Sequence, residues 1–132
     1  MLCRLVEQRK ALDFYSFKHT KSSLPILDEN EWSIIEEFCD LLRPMDEASR
    51  KVCENDSTIS VQIAIANILI GELSDKFYRH IESARLKLID EIRLRFSHLE
   101  NINVCAVSHY LDPRFKDQLV SNRPDFLFKI TN

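Results

Sequence analysis

ISVQIAIANILIGELSDKF, residues 59–77, contains the longest mainly apolar run of the chain. Its apolar residues recur at helical spacing and form one stripe: Ile59, Ile63, Ala66, Ile70, Leu73 and Phe77. The isoleucines and the leucine between them widen the stripe until little polar surface remains, which is typical of a central, buried helix. The β-branched residues could also form a strand, but the pattern holds for about five turns, longer than strands normally run.

The composition agrees with a helical fold. The 132 residues include one glycine and four prolines, and this scarcity of helix breakers favours long helices over sandwiches, barrels or glycine-rich nucleotide loops. With 45% hydrophobic and 30% charged residues, the chain can bury a core. We therefore predict an all-α fold in which about five helices form an irregular bundle. The apolar run is far too short to span a bilayer, so we expect no membrane partner.

Amphipathic patterns predict further helices on both sides of the central stretch. They lie at residues 2–19, after Asp28, at residues 80–99 and at residues 104–110. Asp28 and Glu31 fit a capping box, in which each side chain accepts a hydrogen bond from a free backbone N–H group. Pro44 should end or kink the helix that they start, because proline lacks the N–H group that a helix interior needs.

The central helix and the helix after it carry further signals. A polar break precedes the central helix, and one residue among Asp56, Ser57 and Thr58 should provide its N-cap. Arg85 falls on the charged side of the pattern at residues 80–99, so its side chain is expected to face solvent.

The last part of the chain contains a second capping signal and an apolar tail. Asp112 is typical of an N-cap, and Pro113 suits the first helical position, where its missing N–H group costs nothing. Phe115 and Leu119 would then pack inward. The tail, residues 121–132, is too hydrophobic for a free end, and we expect it to dock against some other surface. Its apolar residues are Phe126, Leu127, Phe128 and Ile130.

Charge is distributed unevenly along the chain. The formal net charge is −3, but residues 28–56 carry three Lys/Arg against ten Asp/Glu, whereas residues 1–21 carry five against two. A whole-surface attraction for nucleic acid is therefore not predicted. The acidic cluster from Asp28 to Asp40 could dock a partner, but a solvated helix face is the more ordinary interpretation.

The titratable residues show no complete metal site or catalytic set. His98, Cys105 and His109 form the one metal-like group, but a structural zinc needs a fourth ligand and tighter paired spacing. The four cysteines are widely spaced, so free thiols are expected, and Cys39 lies on an apolar helix face. No serine-hydrolase, phosphate-loop or zinc-protease motif occurs. We therefore predict no catalytic residue, no metal and no cofactor.

Four blocks of sequence carry a resemblance to a known family. The most specific is the hexapeptide Leu111-Asp112-Pro113-Arg114-Phe115-Lys116. The others precede it in order: residues 1–11; a helix with Glu31-Trp32, Leu41-Leu42, Pro44 and Ala48; and Thr58-Ile59-Ser60 with the apolar helix after it. Over residues 1–117 the ordered set resembles hAT-type transposases and the BED-type zinc finger proteins derived from them.

This resemblance implies a fold and a function. The family has a ribonuclease-H-like catalytic core interrupted by a helical insertion, and the matched blocks fall in that insertion and at its edges. Residues 1–117 would belong to the insertion, and residues 118–132 would be a tail that leads toward a C-terminal region. The family's three metal-binding carboxylates are expected before Met1 and after Asn132, so this chain should not be an enzyme.

The resemblance also assigns residues and partners. It makes Arg114 and Lys116 candidate contacts to DNA phosphate, with ordinary surface residues as the alternative. DNA would be bound in the nucleus through the longer protein, and weakly or not at all by this chain alone. The remaining motif positions are expected to be structural: Trp32, Pro44, Leu111, Asp112, Pro113 and Phe115.

Two other functions are alternatives. The chain could be a self-standing helical module that binds a protein partner through the apolar surfaces of residues 59–77 and 126–130. It could also cut DNA with a divalent metal. Asp112 is a conceivable catalytic carboxylate, but two-metal chemistry needs several converging carboxylates, and a cap beside a proline explains this residue without a metal.

Overall fold

Helices make up most of the described chain. The structure is a computed structural model that describes residues 2–18, 26–53 and 58–131. Within these ranges there are seven α-helices, one 3₁₀ helix and no strand. They are α1 (Leu2–Glu7), α2 (Arg9–Lys18), α3 (Glu29–Val52), α4 (Val61–Ser74), α5 (Glu82–Phe96), the 3₁₀ helix (Ser97–Asn101), α6 (Asn103–Leu111) and α7 (Arg123–Thr131). The all-α prediction is confirmed. The expected helix number was too low, because Gln8 separates α1 from α2 and the tail forms its own helix.

α4 is the central helix of the fold. It packs against α3, α5, α6 and the 3₁₀ helix, as the apolar stretch predicted. Its predicted ends at residues 59 and 77 are wrong, because the helix begins at Val61 and ends at Ser74. Phe77 therefore lies beyond the helix, with 79% of its surface exposed. No helix among the described residues is both long and apolar enough to cross a membrane.

A tertiary contact helps to explain where α4 ends. The last carbonyl groups of a helix have no partner within the helix. Arg85 on α5 donates from Nη1 to the Leu73 carbonyl at 2.7 Å, and its Nε donates to the Glu82 carboxylate at 3.0 Å. The expectation that Arg85 faces solvent is wrong, since the residue is buried. The charged stripe on α5 indicated an exposed arginine, but it contained no information about the Leu73 carbonyl, which lies on another helix and needs a donor.

Among the described residues, no side chain caps the start of α4. Asp56 and Ser57 lie outside the described residues. Thr58 is not a side-chain cap, because its hydroxyl bonds to the Ser60 hydroxyl at 2.7 Å while its carbonyl accepts the Val61 N–H at 3.2 Å. Ser60 occupies the N-cap position, but its hydroxyl makes a tertiary contact instead of capping the helix.

The core consists of two apolar clusters. The first lies among α3, α4, α5 and the segment between α4 and α5, and it contains Leu41, Leu69, Leu73, Tyr78, Ile81, Ile89 and Ile92. The second lies among α4, the 3₁₀ helix, α6 and α7, and it contains Ile63, Leu99, Cys105, Ala106 and Phe126. α4 joins the two clusters, because it supplies Ile63 to one and Leu73 to the other.

The C-terminal tail docks on the second cluster. α7 packs against α6, and Phe126 is only 1% exposed. Phe128, two residues later, is 69% exposed. The prediction that the tail docks is therefore confirmed, and Phe126 is its main anchor.

The N-terminal helices attach to the fold through α3. The predicted capping box is confirmed: the Glu31 N–H donates to Asp28 Oδ1 at 2.7 Å, and the Asp28 N–H donates to Glu31 Oε2 at 2.8 Å. α1 packs against α3. Arg9 of α2 lies 5.1 Å over the buried Trp32 ring and pairs with Glu29 at 2.5 Å. α2 itself buries no residue.

Pro44 lies inside α3, which continues to Val52. A helix end at this proline, one of the two predicted outcomes, is therefore wrong. Pro44 has no N–H group to donate to the Asp40 carbonyl four residues earlier, and Lys76 Nζ lies 3.4 Å from that carbonyl as a donor. The Asp40 carboxylate accepts from Lys76 Nζ at 2.9 Å and from the Tyr78 hydroxyl at 2.7 Å. The segment after α4 thus supports a proline within a continuous helix.

Replacing Asp40 by asparagine should make protein stability less sensitive to acid. Hydrogen bonds from Lys76 and Tyr78 lower the pKa of the Asp40 carboxyl, although partial burial acts in the opposite direction. A carboxyl with a lowered folded pKa stabilises the protein above its unfolded pKa, and this contribution disappears as the pH falls through the folded pKa. When the pH is lowered from about 5 to about 2, the melting temperature of the wild type should fall more than that of Asp40→Asn, as measured by circular dichroism.

Asp90→Asn is a matched control for that measurement. Asp90 on α5 is exposed, and its carboxylate lies 3.8 Å from Arg93. The melting temperature of Asp90→Asn should depend on pH in the same way as that of the wild type, because such exposed pairs contribute little to stability. If both variants flattened the pH profile equally, the role assigned to the Asp40 hydrogen bonds would be refuted.

Candidate functional site

The hexapeptide at residues 111–116 forms a tight turn at the end of α6. Asp112 is the C-cap of α6, and its carbonyl accepts the N–H of Phe115 at 3.1 Å and of Lys116 at 3.0 Å. The prediction that Pro113 opens another helix is wrong, because the chain makes one helical turn and then stops. The next described helix is α7.

Two residues, one at the end of the hexapeptide and one after it, have left-handed backbone angles, with φ of 51° at Lys116 and 54° at Leu119. This conformation costs a residue with a β-carbon about 1–2 kcal/mol. A hydrogen bond from the Asn67 amide to the Leu119 carbonyl, 2.9 Å long, holds the segment in place. Leu119 is 41% exposed, so the prediction that it packs inward is wrong. The turn ends at Lys116 and does not continue as a helix that would place Leu119 on the same face as Phe115.

The Asp112 carboxylate joins the turn to the start of α4. Its Oδ1 accepts the Arg114 backbone N–H and the Arg114 Nε–H, both at 3.0 Å. Its Oδ2 accepts Arg114 Nη2 and the Ser60 hydroxyl, both at 2.7 Å. These bonds, first from Arg114 and then from Ser60, hold the pKa of Asp112 well below its usual range. An ionised aspartate that only accepts hydrogen bonds is therefore well suited to this position.

The two candidate DNA-contact residues have different surroundings. The Arg114 guanidinium is bonded to Asp112 and lies 5.1 Å over the Phe115 ring. Lys116 is exposed at the end of the turn. A carboxylate within hydrogen-bond distance offsets the charge that an arginine presents to a phosphate. Lys116 is therefore the stronger candidate for a phosphate contact.

The other motif residues lie in two parts of the fold. Trp32 and Pro44 are buried on α3, among the helices that surround the first cluster. Phe115 stacks on the His109 ring, with 5.3 Å between ring centres and an interplanar angle of 5°. Leu111 is 72% exposed, and Pro113 is exposed as well. The hexapeptide thus combines an inner aromatic contact with an outer apolar and basic surface.

His98, Cys105 and His109 do not come together as a metal site. Cys105 and His109 are buried on α6, whereas His98 is exposed on the 3₁₀ helix. Both ring nitrogens of His109 lie within hydrogen-bond distance of backbone carbonyls. Across the described ranges, no group of three His, Cys, Asp or Glu side chains is placed to hold a metal ion.

Cys39, which the sequence placed on an apolar helix face, is not an activated nucleophile either. All four cysteines are free thiols. Burial, followed by a hydrogen bond with Cys3, raises the pKa of Cys39 to about 11. A thiol with a raised pKa carries little thiolate at neutral pH and is a poor nucleophile.

Much of the acidic cluster on α3 binds partners from other parts of the fold. Glu29 and Glu36 both pair with Arg9, at 2.5 Å and 3.7 Å. Glu37 accepts the His80 backbone N–H at 3.0 Å. Burial raises the pKa of Glu37, but the hydrogen bonds from His80 outweigh burial and lower it. The cluster therefore helps to hold α2 and the segment after α4, in addition to forming a solvated face.

Two polar partners could not be predicted from the sequence. Ser60 lies 52 residues before the carboxylate that it binds, and nothing local marks it as a partner. Lys76 donates to the Asp40 carbonyl, and in this case the sequence did contain a signal that a donor was needed. Pro44 leaves the Asp40 carbonyl without a helical donor, so a donor was required, but its identity depends on how α3 and α4 pack.

Comparison with curated proteins gives a distant similarity along most of the chain. Zinc finger BED domain-containing protein 6 of Homo sapiens is 25% identical over 116 residues, which cover 80% of this chain and 12% of that protein. Zinc finger BED domain-containing protein 4 of Homo sapiens is 28% identical over 121 residues, which cover 90% of this chain and 10% of that protein. The chain is similar to human BED-type zinc finger proteins.

This similarity agrees with the resemblance found on the hexapeptide and the blocks before it. The chain spans about a tenth of the length of these relatives. No protein-family model matches the chain, and no solved structure matches it at a significant level.

Proposed function

We propose that this chain is a non-catalytic helical segment of a nuclear, DNA-associated protein derived from a hAT-type transposase. In the longer protein it would brace the catalytic core and shape the DNA-binding channel. The observation that carries the proposal is the alignment of 80% and 90% of this chain with only 12% and 10% of two human BED zinc finger proteins. No cofactor is required for such a role.

The turn at residues 111–116 supports the proposal. Its aspartate binds Arg114 within the motif and Ser60 outside it, and its phenylalanine packs on His109. The motif therefore has a structural reason for its residue types and leaves Lys116 at the surface. A turn held by several hydrogen bonds, with an exposed lysine, suits a positioning contact to DNA phosphate.

Exposed apolar side chains suit contact with the rest of a longer protein. Phe14 and Phe17 on α2 are 68% and 86% exposed, and Val104 and Leu111 on α6 are 64% and 72% exposed. The same side chains favour a second candidate function, a self-standing helical module that binds a protein partner.

The surfaces considered for docking from the sequence alone are partly buried inside the fold. In residues 59–77 Leu73 is fully buried, and in residues 126–130 Phe126 is 1% exposed. Phe77 and Phe128 of these stretches remain 79% and 69% exposed, so a partner would bind them or the exposed faces of α2 and α6.

Lys116→Ala should weaken DNA binding by about the same factor for every sequence. Binding by this chain is expected to be weak, so fluorescence anisotropy with labelled duplexes is measured at low salt. Loss of one phosphate contact should reduce the slope of log affinity against log salt concentration by about 0.9. Arg114→Ala should have a smaller effect, because Asp112 already pairs with that arginine.

Arg95→Ala is the matched control, because Arg95 is an exposed arginine on α5 paired with Glu91 at 3.3 Å. Equal losses for Lys116→Ala and this control would contradict the DNA contact. In the same incubations, Mg²⁺ or Mn²⁺ should leave the duplex intact. Metal-dependent cleavage that disappears in Asp112→Asn would refute the non-catalytic role.

A further inference from the structure

Cys3 and Cys39 form a pair of thiols that joins two helices. Cys3 lies on α1 and Cys39 lies on α3, and these two helices pack against each other. The side chains of the two cysteines are in hydrogen-bond contact. Cys3 is exposed and Cys39 is half-buried. A reagent in solution can therefore reach the first sulfur, and the second sulfur lies next to it.

The geometry of α3 separates this pair from the exposed Cys53. Cys53 is the C-cap of α3, and Cys39 lies near the middle of that helix. At about 1.5 Å per residue, the helix keeps these two cysteines roughly 20 Å apart. A disulfide requires α-carbons within about 7 Å of each other, so Cys39 cannot pair with Cys53 in the folded chain. Cys105 is buried in the second apolar cluster, away from solvent reagents.

A bond between the two thiols would act on the N-terminal arm, residues 2–18. Neither helix of this arm, α1 or α2, buries a residue. Arg9 attaches the arm by lying over Trp32 and by pairing with Glu29 and Glu36. Ion pairs at the surface contribute little to stability, so a covalent bond from α1 to α3 would hold the arm more firmly.

We propose that Cys3 and Cys39 form an oxidation site for hydroperoxides, at which a reversible disulfide bond ties the N-terminal arm to α3. The accessible Cys3 thiolate attacks one peroxide oxygen, and the O–O bond breaks. Cys3 becomes a sulfenic acid, and the other oxygen takes up the thiol proton and leaves as an alcohol, or as water when the peroxide is H₂O₂. This step oxidises Cys3 by two electrons and reduces the peroxide by two.

The second step forms the bond between the helices. The Cys39 sulfur attacks the sulfur of the Cys3 sulfenic acid and displaces its hydroxyl group, which leaves as water with the proton of the Cys39 thiol. Cys39 is shielded from dissolved oxidants, but its contact with Cys3 replaces an encounter in solution with a reaction between neighbouring groups. Small thiols reverse the bond by thiol–disulfide exchange.

One equivalent of H₂O₂, added to the dilute, folded and fully reduced chain, tests the pairing. The protein should lose two of its four free thiols, and a digest without reductant should contain the Cys3 peptide joined to the Cys39 peptide. Cys53→Ser is the matched control, and it should also lose two thiols. In Cys3→Ser, Cys39 should remain a free thiol. Links to Cys53 within the folded chain, or oxidation of Cys3 without a link to Cys39, would overturn the proposal.

The same reaction in concentrated urea separates a folded contact from chance pairing. In an unfolded chain, shorter loops close more readily, so the link between Cys39 and Cys53 should form about four times more often than the link between Cys3 and Cys39. The folded protein should show the opposite preference, because α3 holds Cys39 and Cys53 apart. An identical distribution of links with and without urea would refute the thiol contact.

Hydrogen exchange tests whether the bond ties down the arm. In the oxidised protein, the amides of α1 and α2 should exchange about tenfold more slowly than in the reduced protein, because the bond makes local opening of the arm rarer. Dithiothreitol should restore the faster exchange, and α7 should exchange equally in both states. Equal exchange of the arm before and after oxidation would contradict the proposed tether.

Discussion

Phe126→Ala is expected to lower the free energy of unfolding by about 3–5 kcal/mol. The side chain is 1% exposed and belongs to the cluster formed with Ile63, Leu99, Cys105 and Ala106. Truncation to alanine removes apolar area from that cluster and leaves a cavity, because the backbones of α4, α6 and α7 can collapse only partly around it. The edge-on contact with the buried His109 ring is lost as well.

Chemical denaturation followed by circular dichroism measures this change. Phe128→Ala is the matched control, since the same substitution two residues later removes a ring that is 69% exposed. The control should cost less than about 1 kcal/mol, as expected for surface substitutions away from the core. Equal losses for the two variants would show that α7 does not dock through Phe126.

Elements with a strong local signal could be predicted from the sequence. The capping box of Asp28 and Glu31 depends on residues three apart, and it forms as expected. The apolar stretch at residues 59–77 also identified the central helix, because apolar side chains around most of its circumference leave burial on several sides as the stable outcome. The docking of the tail followed from the same argument, since the apolar residues near Phe126 were too many for a free end.

The errors arose where a tertiary partner outweighed a local preference. A proline usually ends a helix, but Lys76 lies beside the Asp40 carbonyl, which Pro44 leaves without a donor. Arg85 is buried because Leu73 and Glu82 accept its hydrogen bonds. Arg85 and Leu73 are 12 residues apart in the sequence, and Lys76 and Asp40 are 36 residues apart. Helical periodicity contains no information about contacts at such separations.

The candidate site shows the same division between local and tertiary information. The hexapeptide was recognisable, and the link between Asp112 and Arg114 is local. The contacts of Ser60 with Asp112 and His109 depend on how α4 meets the turn. The left-handed angles at Lys116 and Leu119 were also hidden, because both residue types are uncommon in that conformation.

Leu73→Ala is expected to lower the free energy of unfolding by about 2–5 kcal/mol. Leu73 is fully buried near the C-terminal end of α4, in the cluster with Leu41, Leu69 and Tyr78. Its carbonyl also accepts the Arg85 hydrogen bond, so the cavity would form beside a buried polar contact that restricts relaxation of the backbone. Because a site that cannot collapse keeps a larger cavity, the loss of stability should lie near the upper end of this range.

The same variant tests whether the two apolar clusters unfold together. α4 supplies Leu73 to one cluster and Ile63 to the other, so loss of either cluster should remove support from the whole helix. Leu73→Ala should therefore show one transition, at the same denaturant concentration, by circular dichroism at the backbone and by fluorescence of Trp32. Leu94→Ala, at a position that is 74% exposed, is the control and should leave the midpoint nearly unchanged. Separate transitions for the two signals would mean that the part of the fold around Trp32 unfolds independently of the rest, despite the helix that the two clusters share.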